Sequence, residues 1–299
     1  MTNLQKPLHR INVASLWRRI PVILRAIFVG ILLAAVGAIP WAILVSVNTK
    51  YFPAVPWAVV PAGLWLWLFW RFASGRRPRS CAEARRKLGR ANFPSADVWS
   101  IALIAGVLGL ATAVLLQRIM VRLVTLPQQE ELDISRFKLL TLLGWVVTGA
   151  LVAGVVEETA FRGYIQKPIE QRHGPVIAIL VTGSLFGFAH FTHPEVGLVL
   201  LPYYLSIATV YGMLAYLSDS VFPSMVLHSA GNMLGAVALF PNRRSEWQAS
   251  SAPQRLIWQT GGDASFLINI CAFTLTGALA VFAYIALAKV AEKKFSTSQ

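Results

Sequence analysis

Three short polar clusters interrupt apolar segments in the second half of the chain. They read EETAFR from Glu157 to Arg162, FGFAH ending at His190, and HSAGN from His228 to Asn232. A carboxylate can take a proton from water, and a histidine can orient that water or carry the proton. A face that carries histidine and asparagine can donate hydrogen bonds to a developing oxyanion. Together these side chains predict the hydrolysis of an amide bond.

The first cluster holds two adjacent carboxylates for which we expect different surroundings. On an α-helix, Glu158 and Arg162 lie four residues apart in the order that favours an ion pair. Glu157 points about 100° away from Glu158, so it can face a different space. We therefore expect Glu158 and Arg162 to support the site as a pair, and Glu157 to remain available for chemistry.

The third cluster presents two polar side chains on one helix face. His228 and Asn232 are four residues apart, so they project together. Gly231 beside them is expected to permit the close approach of another helix. Ser229, the adjacent hydroxyl, is turned away from that face. No serine or cysteine nucleophile is therefore evident at this cluster.

A metal ion is the alternative means of activating water at such a site. Glu157, His190 and His228 have the donor types that zinc prefers. The sequence contains no HExxH motif, which places two zinc-binding histidines on one helix face. The sequence therefore leaves a divalent metal such as zinc open, and it predicts no other cofactor.

The elements that must position these clusters are apolar segments long enough to cross a membrane. Of the 299 residues, 56% are hydrophobic and 13% are charged, which is about half the charged fraction of a soluble domain. A membrane span needs roughly 20 mainly apolar residues. We predict an all-α polytopic membrane protein with about eight transmembrane helices, in the windows 22–47, 52–70, 98–121, 139–156, 176–191, 196–217, 221–240 and 264–290.

These windows divide the chain into four predicted parts. Residues 1–21 form a basic cytoplasmic lead-in, and residues 22–137 form three transmembrane helices. Residues 138–241 form the helices that carry the polar clusters. Residues 242–299 form a loop and the last transmembrane helix. The chain is thus predicted to be one membrane domain without a soluble module.

The net charge of +14 does not indicate nucleic-acid binding, because the basic residues cluster beside the apolar windows. Basic loops mark the cytoplasmic side of a membrane protein, so we expect both termini in the cytoplasm and a bacterial-type plasma membrane. The expected partners are the lipid bilayer and a membrane-associated peptide or protein substrate. The largest basic cluster lies between the second and third windows and comprises Arg71, Arg76, Arg77, Arg79, Arg85, Arg86, Lys87 and Arg90.

Helix lengths place the polar clusters at similar depth. If the chain turns at His173–Pro175, Glu157 lies 16 residues before His173 and His190 lies 16 residues after Gly174. Both are then about 24 Å from the turn, at a rise of 1.5 Å per residue. His228 enters from the same side. We therefore expect the clusters to converge in a cavity that opens to the cytoplasmic side.

In this order and on separate helices, the clusters resemble the motifs of the CPBP family of intramembrane proteases. This family is also called the ABI or CAAX-protease family, and it includes the prenyl-protein endopeptidases. Its motifs EExxxR, FxxxH and Hxxx(N/D) read here EETAFR, FGFAH and HSAGN. The resemblance implies a fold of about eight membrane spans and an endopeptidase that acts on a membrane-associated protein or peptide. It implies a water-activating pair, Glu157 and His190, and an oxyanion-binding pair, His228 and Asn232.

The same resemblance gives Glu158 and Arg162 a supporting role. It leaves the choice between a glutamic protease and an intramembrane metalloprotease open, and it does not indicate whether the substrate is prenylated. Two other classes remain as alternatives on the sequence alone. A non-catalytic membrane scaffold would keep the fold without the chemistry, and a proton-coupled transporter would also bury carboxylates and histidines.

Overall fold

The computed structural model describes residues 13–125, 137–190, 194–242 and 256–297, and within these ranges the chain forms helices and no strands. Residues 1–12 of the predicted lead-in and residues 243–255 of the predicted loop lie outside the described part. The helices before the first polar cluster are α1 (Val13–Arg19), α2 (Val22–Tyr51), α3 (Val59–Ala73), α4 (Ala82–Leu88), α5 (Ala96–Leu123) and α6 (Leu139–Val152). Those after it are α7 (Gln166–His173), α8 (Pro175–Ala189), α9 (Pro194–Ser218), α10 (Phe222–Asn242), α11 (Ile257–Thr260) and α12 (Ala264–Thr297).

The first polar cluster lies on one continuous helix that joins α6 to α7. Two π-helical segments, Ala153–Glu157 and Thr159–Ile165, connect them, so the helix extends from Leu139 to His173. We call it the glutamate helix. It ends at the predicted turn, where Gly174 has a φ of +83°. The apolar window predicted from the sequence, 139–156, ends earlier than this helix, because polar residues follow residue 156. The helix continues since neighbouring helices bury those polar side chains.

The fold is that of an all-α polytopic membrane protein, as predicted. Within the described part of the chain, five segments are long and apolar enough to span a bilayer: Val22–Tyr51, Ala96–Leu123, Leu139–His173, Leu198–Ser218 and Ala264–Lys293. Helices α3 and α8 are apolar but shorter. At about 22 Å, the 15 residues of α8 fall short of the roughly 30 Å hydrocarbon core. Large apolar side chains on the outer faces are exposed, which suits contact with lipid; Phe282 on α12, for example, is 70% exposed.

Helix α2 lies directly against the glutamate helix. A β-carbon on Gly37 would come within 2.4 Å of Val156, and one on Gly30 would come within 2.1 Å of Ile165. Val156 and Ile165 are fully buried. Small residues allow such close backbone approach between membrane helices. Helix α2 therefore fixes the position of the segment that carries the two glutamates.

A group of charged residues, Arg90, Lys167, Glu170 and Asp219, closes one end of the helix bundle. We call it the ionic cluster. The buried Arg90 guanidinium lies 2.5 Å from Glu170 and 3.3 Å from Asp219, and Lys167 also pairs with Asp219. Arg90 belongs to the connection between α3 and α5, which we call the basic loop. It joins this loop to the glutamate helix, because its Nη1 donates to the backbone carbonyl of Arg162.

The glutamate helix also closely approaches α10, and here one expectation from the sequence is wrong. Among the described residues, a β-carbon on Gly231 would meet nothing within 4 Å, so that residue does not mediate contact with another described helix. Gly154 has this role instead. A β-carbon there would lie 2.0 Å from Ser229 Oγ and 2.8 Å from the Met225 carbonyl oxygen. Which glycine faces a neighbouring helix depends on helix rotation, which the motif spacing does not fix.

We expect Gly154→Ala to destabilise the protein, because the added methyl group must push two helices apart beside the first polar cluster. Overpacking of this kind costs about 1–3 kcal/mol. The free energy of unfolding in detergent measures it. Gly231→Ala is the matched control and should not be destabilising, since the position is open and alanine favours helix. Equal stability of the Gly154→Ala protein and the wild type would contradict the close approach.

Candidate active site

A cavity of about 290 Å³ lies between the glutamate helix, the end of α8, α9 and α10. It brings together four residues that the sequence analysis singled out, which come from all three polar clusters. They are Glu157, His190, His228 and Asn232. The other lining residues are Phe186, Tyr203, Tyr204, Ile207, Tyr211 and Ala236. The structure thus brings these four predicted side chains together, while the catalytic role of each one stays a prediction.

The backbone that carries the glutamates is π-helical, whereas the sequence predicted a regular α-helix. Such segments are rare and occur frequently at functional sites. Side chains donate to two backbone carbonyls of this segment. Thr159 Oγ1 donates to the Val155 carbonyl at 2.6 Å, and Arg90 Nη1 donates to the Arg162 carbonyl at 3.3 Å.

Glu158 and Arg162 form an ion pair that is sealed inside the bundle. Arg162 Nε lies 3.4 Å from Glu158 Oε2, and both side chains are fully buried. The guanidinium also lies 5.1 Å from the ring centre of Phe186 and 5.5 Å from that of Tyr211, where the ring faces attract a cation. The paired charge explains how a carboxylate is tolerated at this depth.

His228 lies between the two glutamates. Its Nδ1–H donates to Glu158 Oε1 at 2.9 Å, and its Nε2 lies 4.0 Å from Glu157 Oε2. The ring stacks on Tyr211, with centroids 5.1 Å apart and planes 16° apart. A carboxylate that accepts from one ring nitrogen fixes the orientation of the imidazole, and with it the direction in which the other ring nitrogen points. The sequence analysis missed this link, since it gave Glu158 only Arg162 as a partner.

His190 is oriented in a similar way from the opposite side of the cavity. It follows the last residue of α8, so it lies at the helix end rather than inside the helix as predicted. Its Nδ1 is 2.8 Å from the Phe186 carbonyl oxygen. A carbonyl can only accept, so Nδ1 carries the hydrogen. In the neutral ring, Nε2 therefore has a free lone pair that can accept a proton.

Three tyrosines of α9 complete the wall, and the sequence analysis did not identify them. Tyr203, Tyr204 and Tyr211 all line the cavity. The Tyr204 ring lies 5.0 Å from that of His190, and Tyr211 stacks on His228. Residues seven apart lie on one face of a helix, so the spacing of Tyr204 and Tyr211 was the available signal. Tyr204 and Tyr211 thus each restrict the orientation of one histidine.

The zinc site considered on the sequence is not assembled. Across the four described ranges, no group of three His, Cys, Asp or Glu side chains is suited to hold a metal ion. The predicted set was Glu157, His190 and His228. A zinc ion needs each nitrogen or oxygen donor at about 2.0–2.2 Å. The described side chains can transfer protons by themselves, and the choice between a glutamic protease and a metalloprotease stays a prediction.

The cavity lies on the side of its polar residues that faces away from the ionic cluster. Its described lining residues extend from Tyr211 back to Tyr203 on α9, and from His228 forward to Ala236 on α10. Both directions lead away from Asp219, which lies between these helices in the ionic cluster. The predicted opening towards the cytoplasmic side stays a prediction.

Comparison with protein families gives one match. The model of a family described as type II CAAX prenyl endopeptidase, Rce1-like, matches residues 139–234. This segment begins with the glutamate helix, ends within α10 and contains all three motifs. No curated protein and no solved structure matches the chain significantly. The match confirms the resemblance that the motifs predicted.

Proposed function

We propose that this chain is an intramembrane endopeptidase of the CPBP (CAAX-protease) family, whose glutamate-activated water cleaves a membrane-associated protein or peptide. The match of the type II CAAX prenyl endopeptidase model to residues 139–234 supports this proposal. One observation carries this proposal. The two adjacent carboxylates differ in access, since the Glu157 side chain is 31% exposed while Glu158 is fully buried. One glutamate is thus held by Arg162 and His228, and the other faces the cavity.

The first step that the geometry supports is activation of water. The Glu157 carboxylate accepts a proton from a water molecule, and the oxygen of that water attacks the carbonyl carbon of the scissile peptide bond. His190 assists by accepting a hydrogen bond from that water at Nε2. Since Nδ1 is occupied by the Phe186 carbonyl, the ring presents Nε2 without reorientation. Such preorganisation lowers the barrier because no rearrangement is needed during the reaction.

The second step is stabilisation of the tetrahedral intermediate. His228, when protonated at both nitrogens, donates one N–H to Glu158 and the other into the cavity. The Asn232 amide lies one helical turn further along the same face and also lines the cavity. Both can donate to the oxyanion. Collapse of the intermediate breaks the C–N bond, and the proton held by Glu157 passes to the leaving amine.

His190→Ala tests the assignment in purified protein reconstituted into lipid vesicles. We expect the rate of cleavage of a quenched library of apolar peptides to fall about 100-fold, the lower end for acid–base catalysis. The fall in the cleavage rate is limited because Glu157 is still present as a base. Hydrolysis in ¹⁸O-labelled water should place one ¹⁸O in the new carboxyl terminus. His173→Ala is the matched control, because this histidine is exposed at a helix end, and it should cleave at the wild-type rate.

Two outcomes would contradict the proposed chemistry. One is cleavage by the His190→Ala protein at the wild-type rate. The other concerns a metal and is tested by dialysis against EDTA. We expect the rate to be unchanged, because the described donors do not group around a metal site. Loss of activity that zinc restores would overturn the proton-transfer mechanism in favour of a metalloprotease.

A further inference from the structure

We propose that Arg90 is a positioning residue: it fixes how the glutamate helix and α10 are placed against each other, and thereby how His228 meets Glu158. Arg90 is not among the described lining residues of the cavity, and its side chain is only 1% exposed. It therefore acts through its contacts with the helices that carry the polar clusters. Its importance for cleavage rests on the proposed function, whereas its effect on His228 can be measured in a protein that cleaves nothing.

The Arg90 side chain contacts the glutamate helix at two points. Its Nη1 donates to the Arg162 carbonyl at 3.3 Å, and its Nη2 lies 2.5 Å from Glu170 Oε1. The first point is on the second π-helical segment, and the second is on α7. A guanidinium presents its donors in a rigid, planar fork. The two contacts together therefore restrict the rotation of the glutamate helix relative to the basic loop.

Arg90 is also bound to the segment that leads into α10. Its carbonyl oxygen accepts from the backbone N–H of Val221 at 3.2 Å, and its Nε lies 3.3 Å from Asp219 Oδ1. Val221 has no exposed surface, and α10 begins at the next residue, Phe222. A single residue thus contacts both the glutamate helix and the start of the helix that carries His228.

These contacts form a closed ring with the buried polar side chains. The Arg162 side chain pairs with Glu158 at 3.4 Å, and Glu158 accepts from His228 at 2.9 Å. From His228, helix α10 leads back to Val221, about 10 Å away at 1.5 Å per residue. In such a ring, neither helix can rotate without breaking a second contact. Loss of the Arg90 contacts opens the ring, so the distance between His228 and Glu158 is no longer fixed.

The backbone around Arg90 indicates that this arrangement is specific. Arg90 has a φ of +46° and Asp219 a φ of +44°, a region that residues other than glycine seldom adopt. Such conformations persist where the surrounding structure over-determines them. The loop backbone is also packed directly on the glutamate helix, because a β-carbon on Gly163 would come within 3.0 Å of both the Gly89 α-carbon and the Leu88 carbonyl oxygen.

Arg90→Lys is the variant that tests this role. Lysine keeps a positive charge beside Glu170 and Asp219, so neither carboxylate loses its counter-charge. Its single ammonium group lacks the fork of the guanidinium, so it cannot maintain the contacts with both helices at once. We expect the protein to fold, as checked by its unfolding midpoint in detergent. Arg86→Lys is the matched control, because Arg86 is an exposed arginine of the same loop.

Two measurements distinguish positioning from a general loss of stability. With one peptide that the wild type cleaves, we expect kcat to fall about 10-fold at unchanged KM, less than the roughly 100-fold that a 1 Å misplacement can cost. In protein labelled with ¹⁵N-histidine, the Nδ1 signal of His228 should shift, because its hydrogen bond to Glu158 changes. The chain has five histidines, and loss of one signal in His228→Asn assigns it. Arg86→Lys should change neither quantity.

An unshifted His228 signal in the Arg90→Lys protein would overturn the proposal, and so would the same shift in the Arg86→Lys protein. A shifted signal with an unchanged kcat would overturn the link to catalysis. The signal needs no turnover, so a shift in a chain that cleaves nothing would support the positioning and contradict only the proposed function.

Asp219→Asn is the second variant, in case Arg90→Lys does not fold. Asparagine tolerates the left-handed conformation of this position, and it removes the charge that faces Arg90 and Lys167. We expect a smaller shift of the same His228 signal, because the contacts of Arg90 with the glutamate helix remain. An unshifted signal in this variant would overturn the proposal as well.

Discussion

Glu157→Gln should reduce peptide cleavage about 10⁴-fold, the upper end of what a general base contributes. The amide cannot accept a proton from water, yet it has nearly the same size and still fits the cavity wall. The folded state should be retained, because Glu157 is partly exposed and the buried Glu158 charge stays paired. Initial cleavage rates in vesicles, together with the unfolding midpoint in detergent, measure the two effects separately.

Glu83→Gln provides the matched control for this prediction. Glu83 is a glutamate in the basic loop, exposed and paired with Lys87 at 2.8 Å. Water and salt screen such an exposed pair, so this substitution should change neither stability nor cleavage appreciably. Cleavage at the wild-type rate by the Glu157→Gln protein would show that Glu157 is not the base. An equal loss in both variants would show that the effect is not specific to the cavity.

Glu158→Gln should destabilise the protein as well as inactivate it. The change leaves the Arg162 guanidinium buried without its counter-charge, and breaking a buried pair by removing one partner costs about 3–5 kcal/mol. It also weakens the hydrogen bond that orients His228, so the oxyanion donor loses its position. Unfolding in detergent measures the first effect, and cleavage of the same peptide library measures the second.

A double variant separates charge balance from catalysis. Glu158→Gln with Arg162→Met removes both charges, so no unpaired ion remains in the bundle. We expect it to regain much of the stability lost in the single variant, while cleavage stays low because His228 is still without its carboxylate. A Glu158→Gln protein as stable as the wild type would show that the ion pair does not have the assigned role.

Helix geometry explains why much of the site could be predicted from the sequence. Glu157 and His190 lie equally far from the turn at Gly174, and helix rise alone then puts them at one depth. The three motifs carried the family resemblance, which the match over residues 139–234 confirms. Hydropathy was sufficient to predict an all-α membrane fold, because each apolar window overlaps a helix, although α3 begins only at Val59 in the window 52–70.

Contacts between distant parts of the chain could not be predicted in this way. From the sequence, Arg90 is one of many charged residues in a predicted cytoplasmic loop. In the structure it is buried, and its guanidinium donates a hydrogen bond to the carbonyl of Arg162, 72 residues away. The bond between His228 and Glu158 depends on how two helices rotate against each other. The π-helical turns around Glu157 have no sequence signal that distinguishes them from an α-helix, and no proline interrupts them.

The most direct test of Glu157 as the residue that drives cleavage is to add the purified protein, in vesicles, to membranes from cells that express only the Glu157→Gln variant, and to compare peptide termini by mass spectrometry. We expect new carboxyl termini, each with one ¹⁸O from labelled water, after addition of the wild type and none after addition of Glu157→Gln. The same set of termini from both proteins would contradict this role of Glu157.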